Sequence, residues 1–513
     1  MSEEYVSELP TNFYNVINTL SNYRKSNLRI VPSQPSSSGT VRAGGFIRLS
    51  IPSGSIVDLR TLQLQFRGIT TINDVSTSTT KLCGFPRDMA SLFQDVEIYI
   101  GGKPVQIIQN YNLIYKTLMN YRSNPYAKSK RINANTDPSY AQTLSDAGVY
   151  TYYPTYKNTP NASINHFDNY YCVDTFIGIL GESMPSIWDT SLCGAIDINI
   201  RLAPSTVLYC SSSIAGGDTV NYTLSEVTAY IQKIDFKEPM YQNTMASQLR
   251  AGGIAVSFKN YQMYTGSYID GTQAKSNTLR ITENTASLDK IYFSFQDQTA
   301  TGGKQPLVLG SQTDGAGGNL LPSITVDATS SATIKTSVET YVNTNLVANP
   351  RVSSFNYTYM NLLALEYPDL LNDSVYFRNN GLGLGKSGTV QFFLNSQEVT
   401  APMNLSEQFE CTLQAFDIHD KETHMINPSI RSLEDYEKLF YVCGLSLDHI
   451  GDKSSKYSTL VSGVDTQSGS LNLAVKFTAG RSANVAQASL PYIICEMTSQ
   501  LLITGERNTA VIR

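Results

Sequence analysis

The sequence predicts an all-β protein made of two antiparallel β-sandwich domains in tandem. The tetrapeptide Arg-Ala-Gly-Gly occurs at 42–45 and again at 250–253, and each copy precedes a strand-like run. Apolar and polar residues alternate in many short runs, and a chain of 513 residues is too long for one hydrophobic core. The repeat therefore predicts that both domains begin at the same structural point, although a match this short also arises by chance.

The alternating runs define the predicted strands, each with one face on a core and one face in water. In the first half they lie at 47–51, 62–66, 96–100, 196–202 and 227–231. In the second half they lie at 254–258, 291–295, 390–394 and 471–477, and a last strand is predicted at 501–504.

Helices are expected at one place in each half. Pro104 stands at a predicted first helical position, after the strand at 95–100 and the turn Gly101-Gly102, and apolar residues form a stripe up to Leu118. In the second half Ser432 is a predicted N-cap, with Asp435 at the capping-box position. Each half is thus predicted to contain one helix that follows a strand.

These patterns divide the chain into four segments. An N-terminal arm at 1–41 precedes a first β domain at 42–237, a linker at 238–250 and a second β domain at 251–513. Within the arm, 12–23 is a predicted short helix and 32–39 a predicted flexible linker. Polar loops at 122–170 and 297–350 are long enough to predict a functional or partner-facing role.

Composition favours a protein that packs against other proteins, or simply reflects β structure. Only 16% of the residues are charged, while Tyr occurs 32 times. Tyrosine buries a large area at low entropic cost, and charged residues are depleted from interface cores. All-β proteins are also rich in Thr, Tyr and Ser, so both interpretations stay open.

Charge and cysteine content exclude several classes. The net charge of −5 and the absence of a dominant basic run argue against broad or sequence-specific nucleic-acid binding. The seven cysteines are scattered and lack a C-x-x-C pair, which predicts buried free thiols rather than a disulfide framework or a zinc site. We expect no secretory signal and no membrane span, hence folding in a cytosol or nucleus.

A phosphate site is the first chemical function that the sequence argues against. Residues 381–387 read Gly-Leu-Gly-Leu-Gly-Lys-Ser and end like a P-loop, but Asn380 occupies the position of the first glycine. A strand-like run follows Gly388 where the motif needs a helix. We interpret this segment as a glycine-rich loop and predict no cofactor.

A metal site or catalytic centre is not predicted either. The charged run at 417–424 contains His419 and His424 without the spacing of a zinc site, so a solvated loop is favoured over a weak divalent-cation site. The sequence has no H-x-H pair for a cupin-type metal enzyme and no G-x-S-x-G nucleophile elbow. No catalytic, cofactor-binding or metal-ligating residue is therefore assigned, and the chain is predicted not to be an enzyme.

Two segments carry a resemblance to a known family. Residues 96–115 resemble the strand, glycine turn and helix of the family's first jelly roll, and residues 176–202 resemble later strands of the same barrel. Over 40–510 the chain resembles the double jelly-roll major capsid proteins of double-stranded DNA viruses, in particular the virophage and Polinton-like, mavirus-type members. The second half departs from the first at Asn395-Ser396, which stands where the first half has Gly101-Gly102.

The resemblance implies a structural protein whose two β domains are jelly rolls. Members of that family form homotrimers, and the resulting pseudo-hexagonal capsomers tile an icosahedral shell. It implies neighbouring capsomers and penton or minor capsid proteins as partners, no small-molecule substrate, and a location in the virion after synthesis in the host cytoplasm or nucleus. The N-terminal arm would lie inside the shell.

Two other classes stay open. A host-binding adhesin, fibre or lectin-like β-sandwich protein would also show alternating strands and large polar loops, and one domain expressed alone should then bind a glycan or receptor. A β-barrel enzyme is opposed by the four histidines and the lack of a convergent acid–base set. A capsid subunit predicts instead that isolated halves expose apolar faces and aggregate.

Overall fold

The computed structural model describes most of the strands and the helices that follow them. The described residues are 23–33, 39–72, 83–86, 88–122, 143–144, 150–151, 168–210, 219–236, 245, 247–250, 252–267, 276–297, 375–377, 379, 388–416, 418, 433, 436–437, 440–447, 463–466, 472–478, 489–504 and 508–512.

The strands of the first half, in chain order, are β1 (Tyr23–Ile30), β2 (Thr40–Arg42), β3 (Phe46–Ile51), β4 (Ile56–Ile72), β5 (Cys83–Gly84), β6 (Phe93–Ile100), β7 (Lys103–Ile108), β8 (Thr143–Leu144), β9 (Tyr150–Thr151), β10 (Asp168–Val173), β11 (Ser183–Met184), β12 (Ile187–Asp189), β13 (Ile196–Leu202), β14 (Tyr209–Cys210) and β15 (Val220–Phe236).

The strands of the second half are β16 (Ile254–Thr265), β17 (Ser276–Thr282), β18 (Leu288–Asp297), β19 (Thr389–Leu394), β20 (Gln397–Glu398), β21 (Cys443–Ser446), β22 (Asn472–Thr478), β23 (Ser489–Thr504) and β24 (Asn508–Ile512). The α-helices that the structure describes from end to end are α1 (Tyr111–Arg122), α2 (Ile179–Glu182), α3 (Thr190–Cys193) and α4 (Leu405–Ala415). Residues 245, 247–250, 433 and 436–437 are also helical. Single 3₁₀ turns lie at Met89–Leu92, Ser205–Val207 and Val375–Phe377.

Each half is a sandwich of two antiparallel sheets with the same strand order. In the first half one sheet runs β1-β15-β4-β10, with β2 beside β15 and β12 beside β4, and the other runs β3-β13-β6-β7. In the second half the sheets run β16-β23-β18-β21 and β17-β22-β19-β20. Counted along the eight main strands, both halves give the orders 1-8-3-6 and 2-7-4-5, which is the jelly roll. The prediction of two tandem antiparallel jelly rolls is confirmed.

The period-two patterns build these sheets as the sequence predicts. In β3 the side chains of Ile47, Leu49 and Ile51 are buried, while Arg48 and Ser50 between them are exposed. The same alternation runs through β13 and β22. Each strand therefore contributes one apolar face to the core of its sandwich.

The helix predicted to begin at Pro104 begins seven residues later. Residues 103–108 form β7, which pairs with β6 through the turn Gly101-Gly102, whose φ angles are 58° and 81°. Two left-handed residues in succession suit a two-residue hairpin, and Pro104 is accommodated because β7 is an edge strand. The helix α1 then starts at Tyr111.

The second half also has a helix after its hairpin. Asn395 (φ 49°) and Ser396 (φ 65°) form the turn between β19 and β20, and the helix that follows is α4, which was not predicted from the sequence. Asn404 caps α4: its side chain accepts from the backbone N–H of Glu407, whose carboxylate accepts from the N–H of Asn404. The Asn-x-x-Glu spacing was the sequence signal for this helix. Ser432, the other predicted N-cap, lies outside the described residues, and Leu433, Tyr436 and Glu437 beyond it are helical, as predicted.

The repeated tetrapeptide does not mark the same structural point twice, so this prediction is wrong. Arg42–Gly45 leads from β2 into β3, the second main strand of its sandwich, whereas Gly252-Gly253 precedes β16, the first main strand of the other. In both copies glycines precede the start of a strand, but the two strands occupy different positions in their sandwiches.

The sheets extend beyond the predicted segments at both ends of the chain. Residues 23–30, assigned to the N-terminal arm, pair with β15 along their whole length and belong to the first sandwich. The last predicted strand, 501–504, is the end of the much longer β23, and β24 follows and pairs with it. The remaining boundaries, including the linker at 238–250, stay predictions.

Ser396 offers a test of the turn in the second half. Because an L-residue in the left-handed region is strained by about 1 kcal/mol, we expect Ser396→Gly to raise the free energy of unfolding by roughly that amount. Urea unfolding followed by tryptophan fluorescence measures the change. The matched control is Ser257→Gly inside β16, which should lower stability by ~0.5–1 kcal/mol. Equal losses in both variants would contradict the assigned turn.

Candidate functional site at the junction of the two sandwiches

The segments that the sequence singled out for chemistry lie outside the described residues. These are the glycine-rich segment 380–387, the charged run 417–424 apart from Ile418, and all four histidines. In the described part of the chain no group of three or more His, Cys, Asp or Glu residues could hold a metal ion. No described helix is long and apolar enough to cross a membrane.

One cavity beside the junction has the lining of an apolar pocket. Trp188, Met245 and Val256 are among its walls, and its empty volume of about 450 Å³ includes space open to solvent. Asp189 is the ionisable residue among the side chains that line it, and its carboxylate accepts from the backbone N–H of Ser191 at the start of α3. The cavity therefore offers no acid–base pair.

Buried polar side chains gather instead between the two sandwiches, around Arg122 at the end of α1. One guanidinium nitrogen donates to Glu182 Oε1 at 2.8 Å and to the Tyr261 hydroxyl at 2.9 Å, and the other donates to Glu496 Oε2 at 2.5 Å. The Tyr292 hydroxyl donates to the same Glu496 oxygen at 3.0 Å. Arg122 and Glu182 belong to the first half and the other three residues to the second, so this cluster ties the halves together.

The electrostatics of the cluster favour a fully ionised pair. Burial opposes the charge on Glu496, which is 3% exposed, but Arg122 and Lys259 outweigh burial and lower the pKa of this carboxyl to about 2. The neighbouring carboxylates likewise hold the pKa of Arg122 well above its ordinary value against the effect of burial. Burial raises the pKa of Tyr261 and Tyr292 well above the ordinary value, so both hydroxyls stay protonated and can donate.

Lys259 of β16 joins a second buried acid to the cluster. Its ammonium donates to Asp289 Oδ2 at 2.8 Å and to Thr498 Oγ1 at 3.1 Å, and lies 3.7 Å from Glu496 Oε1. The Thr498 hydroxyl donates to Asp289 Oδ2 at 2.5 Å. The buried acids of the second sandwich are thus compensated partly by its own lysine and partly by Arg122 of the first.

Gln106 of β7 makes a second polar connection. Its amide nitrogen donates to the Lys259 carbonyl at 2.8 Å and to Asn260 Oδ1 at 3.1 Å, while its oxygen accepts from the Ile179 N–H at 2.8 Å. Gly178 must be glycine here, because it has φ 76° and a Cβ would lie 2.5 Å from the Gln106 oxygen. The amide nitrogen of this buried side chain therefore bonds across the junction, while its oxygen is held by the backbone of the first half.

The middle of α1 contributes a third set of contacts. The Thr117 hydroxyl lies 3.1 Å from the Tyr492 hydroxyl, which donates to Asn379 Oδ1 at 2.6 Å. The Tyr121 hydroxyl donates to the Phe440 carbonyl. The C-terminal half of α1, from Thr117 to Arg122, thus forms hydrogen bonds with the second sandwich.

Aromatic rings fill the space between these polar contacts. Phe416, just after α4, stacks on Tyr121 of the first half at a centroid distance of 4.7 Å and on Tyr292 of the second at 4.8 Å. Stacked pairs of this kind contribute about 0.5–1.5 kcal/mol each beyond the area that they bury.

The backbone and the hydrophobic core also cross the junction. Ser183 and Met184 of β11 pair with Phe258 and Ser257 of β16, which adds a first-half strand to a second-half sheet. One core cluster contains buried residues of both halves; those of the second half are Val256, Phe258, Tyr261, Tyr292, Phe377, Ala415, Val442, Tyr492, Ile494, Leu501 and Ile503. The sandwiches therefore share one continuous hydrophobic core at the junction.

Solved structures of known proteins share this architecture. No protein-family model and no curated protein matches the chain. Among solved structures, PBCV-1 VP54, fitted into a reconstruction of the virophage Sputnik, matches with a TM-score of 0.51 and 11% identity, covering 96% of this chain and 97% of that one. The Faustovirus major capsid protein matches with a TM-score of 0.51 and 8% identity, covering 94% and 91%.

The chain has the double jelly-roll fold of these capsid proteins. The predicted resemblance is thereby confirmed at the level of the fold, which is as far as identities near 10% extend. The mavirus major capsid protein matches with a TM-score of 0.46 and 9% identity over 95% of this chain and 90% of that one, too low to support the finer mavirus-type assignment.

Substitutions at Arg122 and Glu496 test the junction. Arg122→Met leaves the buried Glu496 carboxylate with Lys259, 3.7 Å away, as a remaining cationic partner, and should lower the free energy of unfolding by about 3 kcal/mol. Glu496→Gln should cost less, because Arg122 keeps its ion pair with Glu182. The double variant should lose clearly less than the sum of the two, as measured in a urea double-mutant cycle. The matched control is Arg201→Met, which removes an exposed pair with Asp95 and should cost at most about 1 kcal/mol. Additive losses at Arg122 and Glu496 would contradict the pairing.

The low pKa of Glu496 predicts a specific acid sensitivity. Its folded pKa of about 2 lies below the ordinary 4.5, so its contribution is complete above pH 4.5 and is lost as the pH falls toward 2. The stability difference between the wild type and Glu496→Gln should therefore shrink by about 2 kcal/mol as urea unfolding is repeated from pH 6 down to about pH 3. A difference that stays constant over this range would show that the carboxyl is not ionised by the junction.

Proposed function

We propose that this chain is a major capsid protein, a structural subunit that trimerises into pseudo-hexagonal capsomers tiling an icosahedral virion shell. The observation that supports the proposal most strongly is the pair of jelly rolls with identical strand order, held in one fixed arrangement by the junction. Three copies around a threefold axis would present six similar units, which is a near-hexagonal outline. A closed threefold arrangement also limits growth to a defined assembly.

The strand register of the first sandwich supports a capsid subunit whose two ends differ. Ile72, the last residue of β4, pairs with Val220, the first residue of β15. The connections 73–82 and 211–218 therefore begin or end at the same end of the sandwich. The chain enters the first sandwich at the opposite end, where β1 begins.

In the second sandwich the corresponding strands are paired in the same way. Asp297, the last residue of β18, pairs with Ser489, the first residue of β23, so the long connection from β18 to β19 starts at this end. Tyr492, three residues along β23, contacts Thr117 of the first half. We infer that the two sandwiches stand side by side with their long connections on one side, which we assign to the outer surface of the shell, and with the N-terminal segment on the inner surface.

The proposal extends to partners and location. Neighbouring capsomers and penton or minor capsid proteins would contact the outer edges of the trimer, and the assembled protein would reside in the virion. A structural role needs no cofactor and no catalytic residue. The division into an arm at 1–41, jelly rolls at 42–237 and 251–513 and a linker at 238–250 forms part of this proposal, with the strand 23–30 joined to the first jelly roll.

Native mass tests the proposal. Light scattering on a sizing column should give a species near three times 56.5 kDa, and negative-stain images of that peak should show a hexagonal outline. Deleting 297–350 should abolish the trimer while leaving β content, and Ser396→Gly should stay trimeric as the control. A monomer that binds a glycan or receptor through one domain would contradict the capsid proposal in favour of an adhesin.

A further inference from the structure

Two cysteines that are distant in sequence lie directly opposite each other in a short β ladder. Cys83 of β5 and Cys210 of β14 are register partners, and the next pair in the ladder is Gly84 with Tyr209. β5 belongs to the connection between β4 and β6, and β14 to the connection between β13 and β15. The fold itself therefore brings these two thiol-bearing residues together.

The backbone geometry of such a pair suits a disulfide. Directly opposite residues of an antiparallel pair have Cα atoms about 4.5 Å apart at non-hydrogen-bonded positions and about 5.5 Å apart at hydrogen-bonded positions. Disulfides span Cα distances of about 4.4–6.8 Å. Either kind of pair falls within this window, so a bridge between Cys83 and Cys210 needs no large backbone movement.

The residues next to the ladder hold it against the core of the first sandwich. Phe85 and Leu208, which flank the paired residues, are each 2% exposed. The Phe85 ring packs edge-on against Tyr171 at 5.4 Å and Tyr222 at 5.9 Å. Because both strands of the ladder are anchored beside the Gly84–Tyr209 pair, the adjacent Cys83–Cys210 pair is kept in register.

The other cysteines are placed differently. Burial raises the pKa of the Cys193 thiol to about 12 and also raises the pKa of Cys411, Cys443 and Cys495, which keeps these groups as unreactive thiols. Cys172 is half-buried and has Gln65 as its register partner. Among the described strands, the ladder of β5 and β14 is the place where a cysteine has a cysteine as its register partner.

We propose that Cys83 and Cys210 form an oxidation-responsive disulfide site, reduced during synthesis and closed when the protein meets a low-molecular-weight disulfide. The thiolate of one cysteine attacks glutathione disulfide, forms a mixed disulfide and releases one glutathione thiolate. The second cysteine, as its thiolate, attacks the protein sulfur of that mixed disulfide, forms the Cys83–Cys210 bond and releases the second glutathione. Two protein thiols are oxidised, one glutathione disulfide is reduced, and the two protons lost by the protein thiols pass through solvent to the two glutathione thiolates.

The bridge would fasten together two connections at one end of the first sandwich. It would close a loop that includes most of the first half, and a long closed loop restricts the unfolded chain strongly. The thiols would stay open in a reducing cytosol or nucleus and close in an oxidising medium. The site depends on the fold and not on the capsid proposal, so either can fail without the other.

Peptide mapping of the full-length, folded protein tests the site. The reduced protein is incubated with glutathione disulfide near pH 8, alkylated with iodoacetamide, digested without reductant and analysed by mass spectrometry. We expect one linked peptide joining Cys83 to Cys210, its disappearance after dithiothreitol, and a melting temperature several degrees higher for the oxidised form. The shift in melting temperature should be absent in Cys83→Ser and in Cys210→Ser and retained in the matched control Cys172→Ser.

Three results would overturn the proposal. Both residues could remain fully alkylated, each could carry glutathione without a link between them, or the linked peptides could come from two different chains. Non-reducing electrophoresis separates the last case, since an internal bridge gives a faster-running monomer and an intermolecular bridge gives a dimer. Peptide mapping of the wild type decides the matter even if a serine variant fails to fold.

Discussion

The buried ion pair between Arg122 and Glu496 is the interaction on which the arrangement of the two jelly rolls depends. Each partner comes from a different sandwich, and Glu496 is almost completely shielded from water. A charge in that position is tolerated only while its partner is present, because an uncompensated buried charge costs several kcal/mol. The cluster therefore ties the correct docking of the sandwiches to the stability of the second one.

The apolar contacts supply most of the attraction at the junction, and the polar contacts supply its geometry. A shared core holds the sandwiches together but would permit sliding, since burial of apolar area has no direction. Arg122, Gln106 and Thr117 each need partners at set positions on the second sandwich. Together they fix one relative position, which a capsid tile built from two similar units would require.

The sequence predicted what local pattern controls and missed what distant contacts control. Alternation in strands such as 47–51 and 196–202 identified the sheets and the sandwich class. Pro104 was misread because an edge strand tolerates proline as well as a first helical turn does. Glu496 stands as a charge within the apolar strand 492–497, a signal that something must compensate it, but nothing local identifies Arg122, over 350 positions earlier, as the partner.

Unfolding observed separately in the two halves tests the central claim, that the junction makes them one structural unit. The single tryptophan, Trp188, is buried in the first half, and Cys443 and Cys495 are buried in the second. Urea titration followed by Trp188 fluorescence and by alkylation of these two thiols should give coincident transitions. Two clearly separated midpoints would contradict the claim and show that each sandwich folds and unfolds without the other.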